Sequence, residues 1–376
     1  MTRIALVTGA NGFVGSHLCE LLIERGWSVR ALVRKTSDLR SLPADRIEKV
    51  YGDVTDFASV QPAVDGVDTV FHAAGVTRQP NEAAYNRINA GGVANVARAA
   101  AEATRPPRRI LLVSSLAAGG PSEPRKIRKE EDKVRPISPY GRSKLRGEME
   151  LRKHAGTVPW TVVRPTAVYG PRDRAFLKLA HMAKKGWLFE ISGHIQRVAV
   201  VHVKDLVRAI IDAAESERTI GRTYYIAYPE PTDWIEIGEW MAEVLGTSVR
   251  TFGIPQWTVP LLAPLNSLVW ILKKRPNPIP LDRIDDLLAI ETHLDMRSPG
   301  DNDHPLPLPG LSADPVRGGL NAVDAPRVLV WLQMTPLLRA IIEDLNFHAR
   351  VGRIAFQRRS DENAAVAARR DPELYR

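Results

Sequence analysis

Thr8-Gly9-Ala10-Asn11-Gly12-Phe13-Val14-Gly15 is the stretch that decides the fold. The run Ile4-Ala5-Leu6-Val7 before it is apolar and short enough for a buried strand. Leu18, Leu21, Leu22 and Ile23 after it recur at helical spacing. The glycines therefore lie on a strand-to-helix turn. Gly9 permits the tight turn, Gly12 lets a pyrophosphate approach the backbone, and Gly15 lets helix and strand pack closely. The first helical amides, around Asn11, Phe13 and Val14, add donors and a positive dipole end for that phosphate. The turn reads as a dinucleotide cradle.

Beyond the cradle, apolar strand-like runs recur at 29–33, 47–51, 69–72 and 109–114, with helical patterns between most of them. This alternation predicts an α/β fold of the Rossmann type, a doubly wound parallel sheet. The second strand ends in Val33-Arg34-Lys35, where an NAD-preferring fold places an acid for the ribose 2′-hydroxyl. Arg34 suits a 2′-phosphate instead, so NADP(H) is expected ahead of NAD. In Gly52-Asp53-Val54 the carboxylate can accept the adenine amino group while Val54 donates its amide. Ala73-Ala74-Gly75 ends the fourth strand with residues small enough to lie against the cofactor. Asn89 and Asn95 are expected in one helix, with Gly91 and Gly92 between them where the helix packs tightly on the sheet.

The fifth strand runs into Ser114-Ser115, at the carboxyl end where parallel sheets bind ligands. Further on, Ser138 caps a helix that begins Pro139-Tyr140-Gly141-Arg142-Ser143-Lys144. Spacing of four sets Tyr140 and Lys144 on one helical face. An ammonium beside a phenol favours the phenolate, which makes tyrosine usable as an acid or base near neutrality.

At 376 residues and 44% hydrophobic, the chain can build one large α/β domain and a smaller lobe. The net charge of +9 comes from dispersed basic residues accompanied by 43 acidic ones, so nucleic-acid binding is not expected. Cys19, the single cysteine, reads as core filling and permits no internal disulfide. No metal site is expected. The four-residue apolar run at the start is too short for a signal-peptide core, and a cytoplasmic location is expected. The apolar stretch 259–272 is broken by prolines and falls short of the ~20 residues of a spanning helix. With Trp257 before it and Lys273-Lys274-Arg275 after it, a peripheral membrane contact through 255–275 is an open reading beside a kinked helix on the lobe.

These motifs together resemble the extended short-chain dehydrogenase/reductase family, also described as NAD-dependent epimerases/dehydratases. Gly9, Gly12, Gly15, Ser115, Tyr140 and Lys144 match its marks, as do Arg164-Pro165, Tyr169-Gly170-Pro171 and His202-Val203-Lys204-Asp205-Leu206. The similarity spans roughly residues 3 to 250 and is nearest the 3β-hydroxysteroid dehydrogenase and dihydroflavonol reductase branches. It implies Ser115, Tyr140 and Lys144 as catalytic residues. It also adds Asn89, Pro165, Tyr140 and Lys144 to the cofactor contacts, and implies a homodimer through the helices at 89–103 and 140–153.

The division expected is 1–165 for the dinucleotide domain, with part of 195–215 returning to it, 166–296 for a smaller substrate lobe, and 297–376 for an atypical tail. The tail opens with a linker-like run and carries an amphipathic pattern at 328–345. Trp187, Leu188, Phe189 and Ile191, extended by Trp257, Leu261 and Leu262, are expected to wall an apolar pocket for a sterol-, isoprenoid- or flavonoid-like molecule. The reaction expected is hydride transfer between nicotinamide and a secondary alcohol or ketone. A nucleotide-sugar epimerase or dehydratase with tightly held NAD is the alternative, for which Arg172 and Arg197 would meet the substrate pyrophosphate. A non-catalytic, cofactor-binding regulatory protein is the third reading.

Overall fold

The computed structural model describes residues 2–43, 45–121, 129–192, 197–228 and 232–258. In chain order come β1 (Ile4–Thr8), α1 (Phe13–Glu24), β2 (Ser28–Val33), β3 (Ile47–Tyr51), α2 (Phe57–Val64), β4 (Thr69–His72), α3 (Glu82–Asn89) and α4 (Gly91–Ala101). β5 (Arg109–Val113), α5 (Leu116–Gly119), α6 (Pro139–His154), β6 (Trp160–Pro165), β7 (Ala167–Tyr169), α7 (Arg174–Lys184), β8 (Trp187–Ser192) and β9 (Arg197–Val198) follow. β10 (Val200–His202), α8 (Val203–Glu215), β11 (Thr223–Ile226), β12 (Thr232–Asp233), α9 (Trp234–Val244) and β13 (Arg250–Pro255) complete the described chain.

The central sheet has seven strands in the order β11-β6-β5-β4-β1-β2-β3, every pair parallel. Strand alternation sends Ala5 and Val7 of β1 to one face, where they pack with Leu18 and Leu22 of α1 and Leu206 and Ile210 of α8. Leu6 goes to the other face, beside Val60 of α2, Val96 of α4 and Leu151 of α6. Helices on both faces explain why these strands are apolar throughout rather than alternating. The sheet is the doubly wound Rossmann-type fold that the sequence suggests. Its order reverses between β1 and β4, and that reversal opens a crevice at the carboxyl ends of the strands.

Two features depart from the expected layout. The helix expected to carry both Asn89 and Asn95 is two helices, α3 ending at Asn89 and α4 opening on Gly91. The glycine pair favours a break over continuation. Gly92 also has no room for a side chain, since an added Cβ would stand 2.9 Å from Val54 Cγ2. The second departure is the extent of the chain's return to the sheet, which runs past 215: α8 packs on α1, and β11 pairs with β6 at the sheet edge.

The smaller lobe is built from the strand pairs β7/β10, β9/β12 and β8/β13 with α7 and α9. Its core holds Tyr169, Phe176, Leu188, Ile237 and Met241. The apolar wall expected from Trp187, Leu188 and Phe189 does not form as one surface. Leu188 is fully buried, while Trp187 and Phe189 point out to solvent, because successive strand residues face opposite sides. Leu261, Leu262, the stretch 259–275 and the tail lie outside the described residues.

Candidate functional site

The cradle is a place where side chains are excluded. Gly9 has φ +67°, a conformation open to glycine, and a Cβ there would come within 2.7 Å of the Ala74 backbone. A Cβ on Gly15 would stand 2.2 Å from the Gly9 carbonyl oxygen, so α1 can meet β1 only at a glycine. Gly12 donates its amide to the Gly9 carbonyl at 2.9 Å and closes the turn. The Ala73 amide donates to the Thr8 carbonyl and the Ala74 amide to Thr8 Oγ1, which draws the end of β4 against the turn.

Above this turn is a cavity of about 310 Å³ at the switch point. Gly9, Asn11, Gly12, Arg34, Asp53, Val54, Ala73, Ala74 and Gly75 all line it, from the ends of four strands. Ser37, Thr55 and Arg87 line it as well; sequence spacing gave no sign of them, because Arg87 arrives from α3. Phe13, Val14, Gly15, Asn89, Tyr140, Lys144 and Pro165 are not among the lining residues. Phe13 accepts the Ser16 hydroxyl with its carbonyl, and Gly15 serves the helix-strand contact. Pro165 ends β6 opposite Ile226.

The cavity lining carries mixed charge. Arg34 is exposed and its amide donates to Ser37 Oγ at 3.1 Å. Asp53 Oδ1 accepts the Thr55 amide at 2.9 Å and the Thr55 hydroxyl at 2.8 Å. Burial pushes the Asp53 carboxyl up, but those two bonds with the Arg34 and Arg87 charges outweigh it and hold the group below its ordinary range. A glycine-floored crevice lined by a carboxylate and two guanidinium groups fits a dinucleotide.

α6 comes near the cavity at Gly75, one of its lining residues. Ser138 caps this helix by accepting the Gly141 amide at 3.1 Å. Tyr140 and Lys144 are both buried within its first turns. Lys144 Nζ donates to the Val113 carbonyl at 2.8 Å, and a Cβ on Gly75 would lie 3.6 Å from the same nitrogen. The ammonium therefore stands between the last residue of β5 and the rim of the cavity. Burial draws its pKa down to about 8, against the pull of Glu148.

Small residues bring the other partners close. A Cβ on Gly141 would strike the Ala117 carbonyl at 2.3 Å, so α5, which Ser115 opens, touches α6 beside Tyr140. A Cβ on Gly147 would lie 2.5 Å from the Asn89 carbonyl, which brings α3 to the same helix. Of the two adjacent serines, Ser114 donates to Glu148 Oε1 at 2.6 Å in the interior. Ser115 Oγ accepts the Ala117 amide at 3.2 Å and keeps its own proton to donate. Asn89 accepts the Val76 amide at 2.8 Å and donates to the Val76 carbonyl and to Ser143 Oγ. Its whole amide is spent on tying the loop after β4 to α6.

Beneath the site, His72 is fully buried, and its Nδ1 shares a 2.9 Å hydrogen bond with Thr8 Oγ1. Burial, with Lys144 nearby, pushes its pKa down to about 3. Arg172, expected near a substrate pyrophosphate, points instead at α1, donating to Ser16 Oγ at 3.1 Å and pairing with Glu20. The Arg197 side chain lies outside the described residues.

Residues 5–227 match the model of the NAD dependent epimerase/dehydratase family. A ceramide reductase of Caulobacter vibrioides is 32% identical over 67% of this chain and 74% of its own length. Sterol demethylase protein B of Methylococcus capsulatus is 28% identical over 66% of this chain and 77% of its own. The crystal structure of gox2253 superposes with a TM-score of 0.64 at 25% identity, covering 78% of this chain and 90% of that one. Sheet order, glycine turn and matched length agree: the chain belongs to the NAD-dependent epimerase/dehydratase family, within the extended short-chain dehydrogenase/reductase group.

Proposed function

We propose that this protein is an NAD(P)-dependent oxidoreductase acting on a secondary alcohol or ketone of an apolar, lipid-like molecule, with NADP(H) as the preferred dinucleotide. The observation that carries the reading is the position of Lys144 Nζ, fixed on the Val113 carbonyl and next to Gly75 on the cavity rim, four residues along the helix from Tyr140. When bound, the nicotinamide supplies or accepts the hydride. Tyr140 exchanges the proton of the substrate oxygen. Lys144, charged below about pH 8, favours the phenolate and is close enough to the rim to hold the nicotinamide ribose. Ser115 donates its hydroxyl proton to the substrate oxygen, a role closed to Ser114 by its bond to Glu148.

Arg34 and Arg87, which both line the cavity and act on Asp53, support a 2′-phosphate. The names of the two relatives, a ceramide reductase and a sterol demethylase component, support an apolar substrate. The nucleotide-sugar reading is weakened by the engagement of Arg172 with Ser16 and Glu20.

Mass spectrometry of molecules that co-purify with the protein, followed by NADPH oxidation against a panel of long-chain and sterol ketones, tests this reading. Net NADPH consumption is expected. Tightly held NAD with turnover of a nucleotide sugar and no net consumption overturns it, and NADPH binding with no turnover on any carbonyl compound points to the regulatory reading.

A further inference from the structure

β8 and β13 form a two-stranded parallel sheet on the outside of the smaller lobe. One of its faces is inward: Leu188 is fully buried and packs so closely on α9 that a Cβ on Gly238 would stand 2.6 Å from Leu188 Cδ2. The opposite face carries Trp187, Phe189 and Phe252, whose rings are in mutual contact with centroids 5.5 and 5.8 Å apart. These side chains bury one another only partly; 57%, 47% and 42% of their surfaces stay exposed. Trp257, in the turn after β13, is 70% exposed. An aromatic cluster of this size left in water is a feature of binding surfaces rather than of ordinary exteriors.

Its border is basic. Lys184 and Lys185 are exposed just before β8, and Arg250 is exposed opposite Trp187 across the strand pair. Glu190, in the alternate series with Leu188, is exposed as well, so three cations and one carboxylate stand around the strand pair. Trp257 leads directly into the apolar sequence 259–272 and then Lys273-Lys274-Arg275, which repeat the same composition outside the described residues. Among the described residues no helix is long and apolar enough to cross a membrane.

We infer that this face docks on an anionic lipid surface. The indole and phenyl rings enter the headgroup layer, and Lys184, Lys185 and Arg250 meet lipid phosphates. The docking is a property of the outer face of the lobe and does not depend on which reaction the site performs.

Flotation of the full chain with vesicles of a choline phospholipid, alone or mixed with phosphatidylserine, tests this. Binding to the serine-containing vesicles is expected, weaker on choline lipid alone and reduced by salt. Lys184→Glu combined with Lys185→Glu is expected to lower it by about tenfold or more. Trp187→Ser with Phe252→Ser is expected to abolish it while dinucleotide binding, measured in parallel as a check on folding, persists. Failure of the wild type to float overturns the inference. So does undiminished flotation of both folded variants, which would move the contact to the chain beyond residue 258. Dissociation of a wild-type dimer by the aromatic variant would assign the face to a second copy of the chain and overturn it equally.

Discussion

Glu148 and Arg164 meet in the interior through two hydrogen bonds of 2.8 Å each, with side chains 0% and 4% exposed. Glu148 also accepts from Ser114, and Arg164 donates to the Tyr225 hydroxyl at 2.9 Å. One buried carboxylate thus joins α6, which carries Tyr140 and Lys144, to the ends of β5 and β6. Glu148→Ala leaves the guanidinium buried without its counter-charge, at a cost of about 3–5 kcal/mol, visible as a lower urea midpoint. Replacing both partners by leucine is expected to recover much of that loss. A single variant within about 1 kcal/mol of wild type would contradict the account.

Removing the phenol separates chemistry from binding. Tyr140→Phe is expected to reduce kcat by about a hundredfold to ten-thousandfold while dinucleotide affinity changes little. Steady-state rates and a binding titration on the same preparation check both halves; unchanged turnover would take Tyr140 out of the reaction.

On the proposed reading, two cations from different elements would select a phosphorylated dinucleotide. Arg34→Ala is expected to weaken NADPH binding by about ten- to a hundredfold, the worth of one charge-assisted hydrogen bond, and to leave NADH nearly unaffected. Arg87→Ala is expected to act in the same direction. Equal losses for both dinucleotides would show that the arginines do not read the 2′-position.

Stability should depend on pH at both ends of the range. His72 has a folded pKa of about 3 against an ordinary 6.5, so the unfolded chain takes up a proton that the folded one refuses. Stability therefore falls as pH drops below 6.5 towards 3. His202, pushed down to about 4 by burial, adds to the same limb. Lys144 titrates near 8 when folded against an ordinary 10.5, so in that window the unfolded chain holds the extra proton and stability rises with pH. Urea unfolding across pH should show a shallower acid limb in His72→Gln and a flatter alkaline limb in Lys144→Met. Profiles parallel to wild type would rule out these two groups.

What the sequence reveals is local. Gly9, Gly12 and Gly15 can be read because a strand, a turn and a helix follow one another within a few residues, and each glycine has a steric reason to be there. Tyr140 and Lys144 can be read because helical spacing alone puts them together. Arg87 and Glu148 escape such reading, since their neighbours come from distant parts of the chain: Arg34 and Asp53 in one case, Ser114 and Arg164 in the other. A rule of four from Lys144 does point to Glu148, but not to what it holds. Asn89 is visible as a residue near the site, yet its hydrogen bonds to Val76 and Ser143 emerge only when α3 meets α6. Trp187 and Phe189 are misplaced when counted as apolar composition, because a strand separates neighbours that a tally groups together.

The path of the chain between sheet and lobe has a consequence for how the lobe can be exchanged. Among the described residues, the backbone leaves the sheet after β6, returns through α8 and β11, and β12 belongs to the lobe again, so three separate connections join the two parts. A graft of the lobe from a relative needs matched junctions near 166, 202 and 230 at once, and a single protease cut in any one of them leaves both parts tethered through the other two.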